Sequence, residues 1–407
     1  MSLAKQADLL HAQTYLAVLH DLADRYAQGN EQMVEALVEL DQDLSQIEKG
    51  QANAAAYAGD DDEAAAIANR YPAMALLSVR HTPEQSLSWL ESALKAARRL
   101  HLIEDEARHL SSLGLIFAEA GNHRKAVEYY IGALSLAQRL GDVSGEIKRR
   151  SGLGLSYVEL GQLPQAIEHL ERSVSLAHEI GDTQAEANNL GNLGIALAQA
   201  DRDAEARDYF EKALAMQRQL GHKRWQSRLL NNLALVSAEI GDPQQTIQYY
   251  QQAIDLAREL GDLRSEGNAL ANMGVVYKDL KDYEQAIQCY QAADQRYHAA
   301  EDVSARGSNL GNLGNVYVIL EEYDRAKEYY LEALRIAVET GNKRAEGLRL
   351  NNLGILCEQQ QHYDDALAYF HRASDAFLMA NAPQVAEKVK ASITRVEGLK
   401  GNSNQDQ

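Results

Sequence analysis

Apolar positions recur along this chain with two nested periods. Within residues 101–140, Leu110, Leu113, Gly114 and Phe117 follow the i, i+3, i+7 spacing of one helix face. Gly121-Asn122 interrupts the pattern. Ala126, Tyr130 and Ala133 then mark the inner face of a second helix, which ends at Gly141-Asp142. The whole motif returns every 40 residues: Gly114, Gly154, Gly194, Gly274, Gly314 and Gly354 stand in register, with Ala234 in the remaining place. The spacing holds without insertion or deletion from about 101 to 380. A unit of this length buries its apolar face only by stacking on its neighbours. The pattern therefore predicts an all-α fold, a right-handed α-solenoid of tandem helix-turn-helix units.

The turns carry their own chemistry. A glycine after a helix reaches the left-handed conformation, and Asp or Asn beside it caps the next helix. Gly241-Asp242-Pro243 shows the device in full, with proline at the first helical position.

The ends depart from the register. Residues 1–60 are expected to form an N-terminal cap of three helices, with Gly29-Asn30 and Gly50 as breaks. Residues 61–100 read as a degenerate first repeat, in which Ser86, Leu90 and Ala93 keep the second-helix spacing. Seven full repeats span 101–380. Residues 381–400 read as a capping helix with Val385, Val389 and Ile393 facing the last repeat, and 401–407 as a disordered tail.

Composition narrows the function. Five prolines and four phenylalanines against twenty tyrosines fit helix throughout. The net charge of −19 argues against non-specific binding to nucleic acid or anionic membranes. Cys289 and Cys357 lie in different repeats and form no disulfide framework, which suits a reducing interior. No run approaches a membrane span or a signal peptide. A cytoplasmic protein is the expectation.

The order Leu110, Leu113, Gly114, Phe117, Ala126, Tyr130, Ala133 resembles the tetratricopeptide repeat. It recurs as Leu190, Leu193, Gly194, Leu197, Ala206, Phe210, Ala213, and as Leu310, Leu313, Gly314, Tyr317, Ala326, Tyr330, Ala333. Two features differ from the usual form: the closing proline is missing, and the period is 40 rather than 34. The longer unit is similar to the Leu-Gly-Asn-repeat adaptors, through Asn312-Leu313-Gly314-Asn315, and to kinesin light chains. Residues 20–59, Tyr71-Pro72 and WLESALKAARRL look like the segment joining bacterial STAND-type NTPases to their repeat sensors. The ATPase itself has no counterpart, because no Gly-x-x-x-x-Gly-Lys-Ser/Thr occurs.

In arrays of this kind the first helices line an inner wall. Positions 108, 112, 115 and 119 and their 40-residue equivalents face away from the packing stripe. Column 112 holds Asn192, Asn232, Asn272, Asn312 and Asn352, whose amides match the donor and acceptor of an extended peptide unit. Column 115 holds Ile195, Leu235, Val275 and Asn315, covered either by a ligand or by neighbouring helices. Arg224, Arg228, Arg264 and Arg344 form a basic rim suited to carboxylates, and Trp225 points inward beside them. The glutamates Glu106, Glu146, Glu186, Glu266 and Glu346 sit beside the packing face and read as structural pairing between repeats.

Catalytic patterns are missing. The twelve histidines show no metal-ligand spacing, and no Gly-x-Ser-x-Gly elbow occurs. Gly152-Leu153-Gly154 imitates a nucleotide fingerprint, but no strand precedes it. The expected function is a non-catalytic scaffold that holds a peptide segment of a protein partner. It needs no cofactor and no metal, and it binds neither nucleic acid nor membrane. The alternative is a ligand-sensing module of a bacterial STAND-like signalling system. The first 100 residues offer a surface for homodimerisation.

Overall fold

The computed structural model describes residues 2–28, 30–73 and 82–403. The described residues form nineteen α-helices and one 3-10 turn, with no strand among them. The chain divides into two compact units, Met1–Met216 and Gln217–Gln407. Both belong to an all-α solenoid of tandem helix pairs.

The first unit opens with a hairpin of α1 (Leu3–Gln28) and α2 (Asn30–Tyr57). It continues through α3 (Asp62–Arg70), the 3-10 turn Tyr71–Ala73 and α4 (Pro83–Arg99). The pairs α5 (Ile103–Glu119) with α6 (His123–Leu140), and α7 (Val143–Glu159) with α8 (Leu163–Glu179), follow. Then come α9 (Thr183–Gln199) and α10 (Asp203–Gln219). The second unit pairs α11 (Lys223–Ile240) with α12 (Pro243–Leu260), and α13 (Leu263–Asp279) with α14 (Tyr283–Ala299). The pairs α15 (Val303–Ile319) with α16 (Tyr323–Glu339), and α17 (Lys343–Gln359) with α18 (Tyr363–Met379), precede the final helix α19 (Pro383–Ser403).

The turns show a period shorter than the 40-residue motif. Backbone φ is positive at 101, 121, 141 and every twentieth residue thereafter to 381. Eight of these fifteen places hold glycine. The other seven are His101, Asp201, Lys281, Glu301, Glu321, Gln361 and Asn381. Every helix from α5 to α19 thus starts two residues after a left-handed residue. In six turns the next residue is an aspartate whose carboxylate accepts the N–H three positions on. For Asp142, Asp182, Asp242, Asp262, Asp282 and Asp302 these caps measure 2.8–3.2 Å.

The motif glycines are places of close approach. A Cβ on Gly114, Gly194, Gly274, Gly314 or Gly354 would lie only 2.5–2.8 Å from the ring of Tyr130, Phe210, Tyr290, Tyr330 or Phe370, respectively. Each ring is buried and fills the space between the two helices of its own repeat. Cys289 and Cys357 are buried core residues, and burial pushes the Cys289 thiol up to about 11. In the second unit α19 closes the core, with Ala386, Val389, Ile393 and Val396 buried against α17 and α18 and Val385 half-buried at its edge.

Three expectations for the ends need correction. The described residues before 58 form two long helices, not three. Residue 29 lies outside the described residues, but Gly50 sits inside α2 and breaks nothing. Its missing side chain admits the Tyr71 hydroxyl, and Ala12 Cα would stand 3.3 Å from any Cβ there. Tyr71 is fully buried and donates to the Ala12 carbonyl at 2.7 Å, so this glycine serves helix packing. The tail is helical through Ser403, and 404–407 lie outside the described residues.

Candidate functional site

The asparagine column lies on the first helices as read from the sequence, and each member is half-buried. Its groups are not equally available. In the first unit, Asn192 Nδ2 on α9 donates to Ser151 Oγ on α7 at 3.3 Å. In the second unit, Asn272 on α13 shares a side-chain hydrogen bond with the Tyr250 hydroxyl, whose pKa burial pushes up to about 12. Asn352 on α17 donates to Asn315 Oδ1 on α15 at 3.3 Å. The same oxygen accepts the Tyr330 hydroxyl at 2.7 Å. Asn232 on α11 and Asn312 on α15 make no side-chain hydrogen bond among the described residues. The column therefore combines contacts between neighbouring repeats with two unspent amides.

The apolar column divides similarly. Leu235 is 49% exposed, whereas Ile195 and Val275 are half-buried, as is the polar Asn315. Leu115, Leu155 and Ile355 are exposed at the equivalent places.

The basic residues are partly engaged within the protein. Arg264 pairs with Asp302, the cap of α15, at 2.7 Å, and Arg224 lies in the field of Asp262, the cap of α13. These are the same pair one repeat apart. Arg344 has Ala382 where the next cap would stand, and it makes no ion pair among the described residues. The Arg228 guanidinium lies over the Trp225 ring, 4.9 Å from its centroid. Trp225 is half-buried beneath it, so the expected inward anchor is an arginine–indole stack.

Two contributors to this wall were missed from sequence. The aromatic residue thirty places into each repeat reads as core filler, yet in Tyr250 and Tyr330 it extends a hydroxyl through the repeat to the asparagines. Arg349 carries no repeat signal, because its column reads His109, Arg149, Asn189, Leu229, Ala269, Asn309, Arg349. Its guanidinium sits where any Cβ on Gly311 would be, near Tyr330, and burial lowers its pKa.

The glutamate column pairs with the preceding second helix. Arg98 meets Glu106 at 2.8 Å, Gln138 meets Glu146 at 3.1 Å, and His178 meets Glu186 at 3.1 Å. Glu266, 2% exposed, receives Arg258 at 2.7 Å and Arg296 at 3.0 Å. Arg306 replaces the glutamate in the next repeat and reverses the polarity, reaching Asp294 at 3.0 Å. Glu346 pairs within its own helix, with Lys343 at 2.8 Å.

Among the described residues no three His, Cys, Asp or Glu side chains converge as a metal site, and no helix is long and apolar enough to cross a membrane.

Comparison with solved structures places this arrangement among repeat proteins. A STAND protein with a tetratricopeptide repeat sensor from Pyrococcus horikoshii superposes with a TM-score of 0.59 at 18% identity. The match covers 90% of this chain and 55% of that one. The apo form of RapI gives 0.52 at 12% identity, over 65% and 95% of the two chains. No curated protein matches. Sequence profiles described as tetratricopeptide repeat match residues 110–144, 149–219, 225–297 and 306–378, more than half the chain. The protein belongs to the tetratricopeptide repeat family.

Proposed function

We propose that this chain is a protein-interaction module whose first-helix wall holds an extended or helical segment of a partner. The surface assigned to this role in the second unit is formed by α11, α13, α15 and α17. Asn192 and Ile195 on α9 offer the same chemistry within the first unit. The reading rests on one observation: four successive first helices each present a half-buried asparagine at the same place, and two of these amides are unspent. A peptide backbone supplies one N–H and one C=O per unit, so Asn232 and Asn312 would complete their hydrogen bonding on it. Asn272 and Asn352 would share or exchange theirs. Leu235, Val275 and Ile355 would cover apolar side chains of the segment. Arg344 and the Trp225–Arg228 stack would meet acidic or aromatic groups at its edge. In this reading the chain binds and performs no chemistry.

The test is selection from a random peptide library, with hits re-measured on the protein carrying Asn232→Ala, Asn272→Ala and Asn312→Ala together. The triple variant should keep its helicity and lose at least tenfold in affinity. Unchanged affinity would remove the asparagines from the binding surface.

The second reading, a ligand-sensing regulatory module, draws support from the likeness to the sensor-bearing STAND protein over 90% of this chain. It requires a change of shape on binding. A change in radius of gyration by solution scattering when a selected peptide is added would favour it over a passive scaffold.

A further inference from the structure

The first unit contains a cleft between α1, α3 and α5 that is separate from the surface discussed above. Two adjoining hollows, about 430 and 390 Å³ in volume, share His20, Ala66 and Arg70. Leu16, Ala17, Ile67 and Leu102 supply apolar wall, and Asn69, Asp105 and Arg108 close one end. The size suits a small organic ligand or one or two amino-acid side chains.

The polar groups of this cleft are ordered before any ligand arrives. His109, buried behind α3, faces Asn69 Oδ1 through Nε2 at 2.7 Å. Asn69 Nδ2 donates to Asp105 Oδ2 at 2.6 Å, and Arg108 pairs with Asp105 Oδ1 at 2.7 Å. Asp105 is thus committed. Glu63, at the other end, accepts the Gln13 amide at 2.7 Å. His20 donates from Nδ1 to the Leu16 carbonyl at 2.8 Å, which leaves Nε2 as an acceptor facing Arg70 Nη2 at 3.4 Å. Arg70 makes no ion pair among the described residues.

The 40-residue register shows what Arg70 lacks. Its equivalent two repeats later is Arg150, which also approaches a histidine, His169, at 3.4 Å. Arg150 is neutralised by Glu146, one turn back on α7, at 2.7 Å. The equivalent of Glu146 on α3 is Ala66. The earlier repeat carries the arginine without the carboxylate one turn back, and Ala66 lines open space in its place. The histidine beside Arg70 comes from α1, since the repeat position of His169 is held by Trp89.

We propose that this cleft binds a carboxylate-bearing ligand whose carboxylate takes, beside Arg70, the place that Glu146 takes beside Arg150. The guanidinium fork matches a carboxylate through two parallel hydrogen bonds. The apolar body of the ligand lies along Leu16, Ala66 and Ile67. The carboxylate arrives either on a small acid or on the side chain of a polypeptide, and the experiment separates the two sources.

Phenylacetate and N-acetylglutamate N-methylamide serve as probes, with phenylacetamide and the corresponding glutamine compound as neutral isosteres. Binding is read by saturation-transfer NMR on the full chain. At least one acid should bind, while its isostere is at least tenfold weaker. Arg70→Gln should abolish the signal. Ala66→Glu should abolish it too, although it removes no basic group, because it restores the internal pair of the later repeat. Thermal melts of both variants check folding, and either variant alone keeps the test decisive. Equal binding of acids and amides, survival of the signal in Ala66→Glu, or no binding by either acid would overturn the proposal. These results do not depend on the asparagine wall in either direction.

Discussion

The Tyr330 hydroxyl donates to Asn315 Oδ1 at 2.7 Å, whereas the Tyr290 hydroxyl, one repeat earlier and equally buried, has no hydrogen-bond partner among the described residues. The difference lies in one residue. The place of Asn315 is taken by Val275 in the preceding repeat. A buried hydroxyl without an acceptor costs about 1–3 kcal/mol. Val275→Asn should therefore stabilise the second unit by about 1 kcal/mol, the ordinary net worth of an internal hydrogen bond. Asn315→Val should destabilise it by a similar or larger amount. Urea unfolding checks both. Tyr290→Phe should be neutral or stabilising and Tyr330→Phe destabilising; the reverse order would show that the unpaired hydroxyl carries no cost.

The motif glycines allow a sharper packing test. A Cβ on Gly314 would stand 2.5 Å from Tyr330 Cε1, so Gly314→Ala must displace the ring or separate α15 from α16. Alanine gains about 1 kcal/mol in helix propensity, and overpacking costs about 1–3 kcal/mol. A net loss of up to about 2 kcal/mol is expected. The repeat centred on Ala234 already accommodates this methyl group with Tyr250 still buried, so Ala234→Gly should lose helix propensity and relieve no clash. If Gly314→Ala instead stabilised the protein by about 1 kcal/mol, propensity alone would govern this position and the ring contact would carry no cost.

Glu321 adopts φ 60° at a turn where most equivalent places hold glycine. A side chain in the left-handed region costs about 1 kcal/mol, partly offset by the greater freedom of glycine in the unfolded chain. Glu321→Gly is expected to raise stability by about 0.5 kcal/mol, and the same change at Lys281 should add independently. Thermal melts of the single and double variants measure it. A loss of stability would mean that Glu321 makes a compensating contact in the folded chain.

The repeat was legible because packing repeats with it: Leu113 and Tyr130 recur because each must fill the same space. The Glu106 column was legible as pairing for the same reason. The second-helix partner lies eight residues earlier in every copy where the pair forms. What escaped was anything that occurs once. Gly50 looked like a helix break because only the fold brings Tyr71 to it across the α1–α2 hairpin. The Asn192–Ser151 and Asn352–Asn315 contacts escaped because a helical wheel assigns a direction to a side chain and not a neighbour. Arg70 became informative only when the fold showed that it faces His20 and an open cleft, while its counterpart Arg150 faces Glu146.

The last prediction concerns His109, which is 1% exposed and donates through Nε2 to Asn69. Burial lowers its pKa to about 4; the field of Asp105 opposes this and that of Arg108 adds to it. The unfolded chain takes up this proton near the ordinary histidine value of about 6.5. Between those two values the unfolded state binds more protons than the folded one, so stability falls as pH drops through that window and levels off below about 4. The full effect at one site is about 3 kcal/mol, from the size of that shift. Hydrogen exchange of α3 and α5 is the appropriate measurement, because these helices flank the imidazole. His109→Gln keeps a donor for Asn69 Oδ1 and cannot be protonated. Exchange in α3 and α5, corrected for the intrinsic effect of pH, should become faster from pH 6.5 to 4.5 in the wild type and much less so in the variant. Equal slopes would place the acid sensitivity of this region elsewhere, with Asp105 and its two partners as the next groups to test.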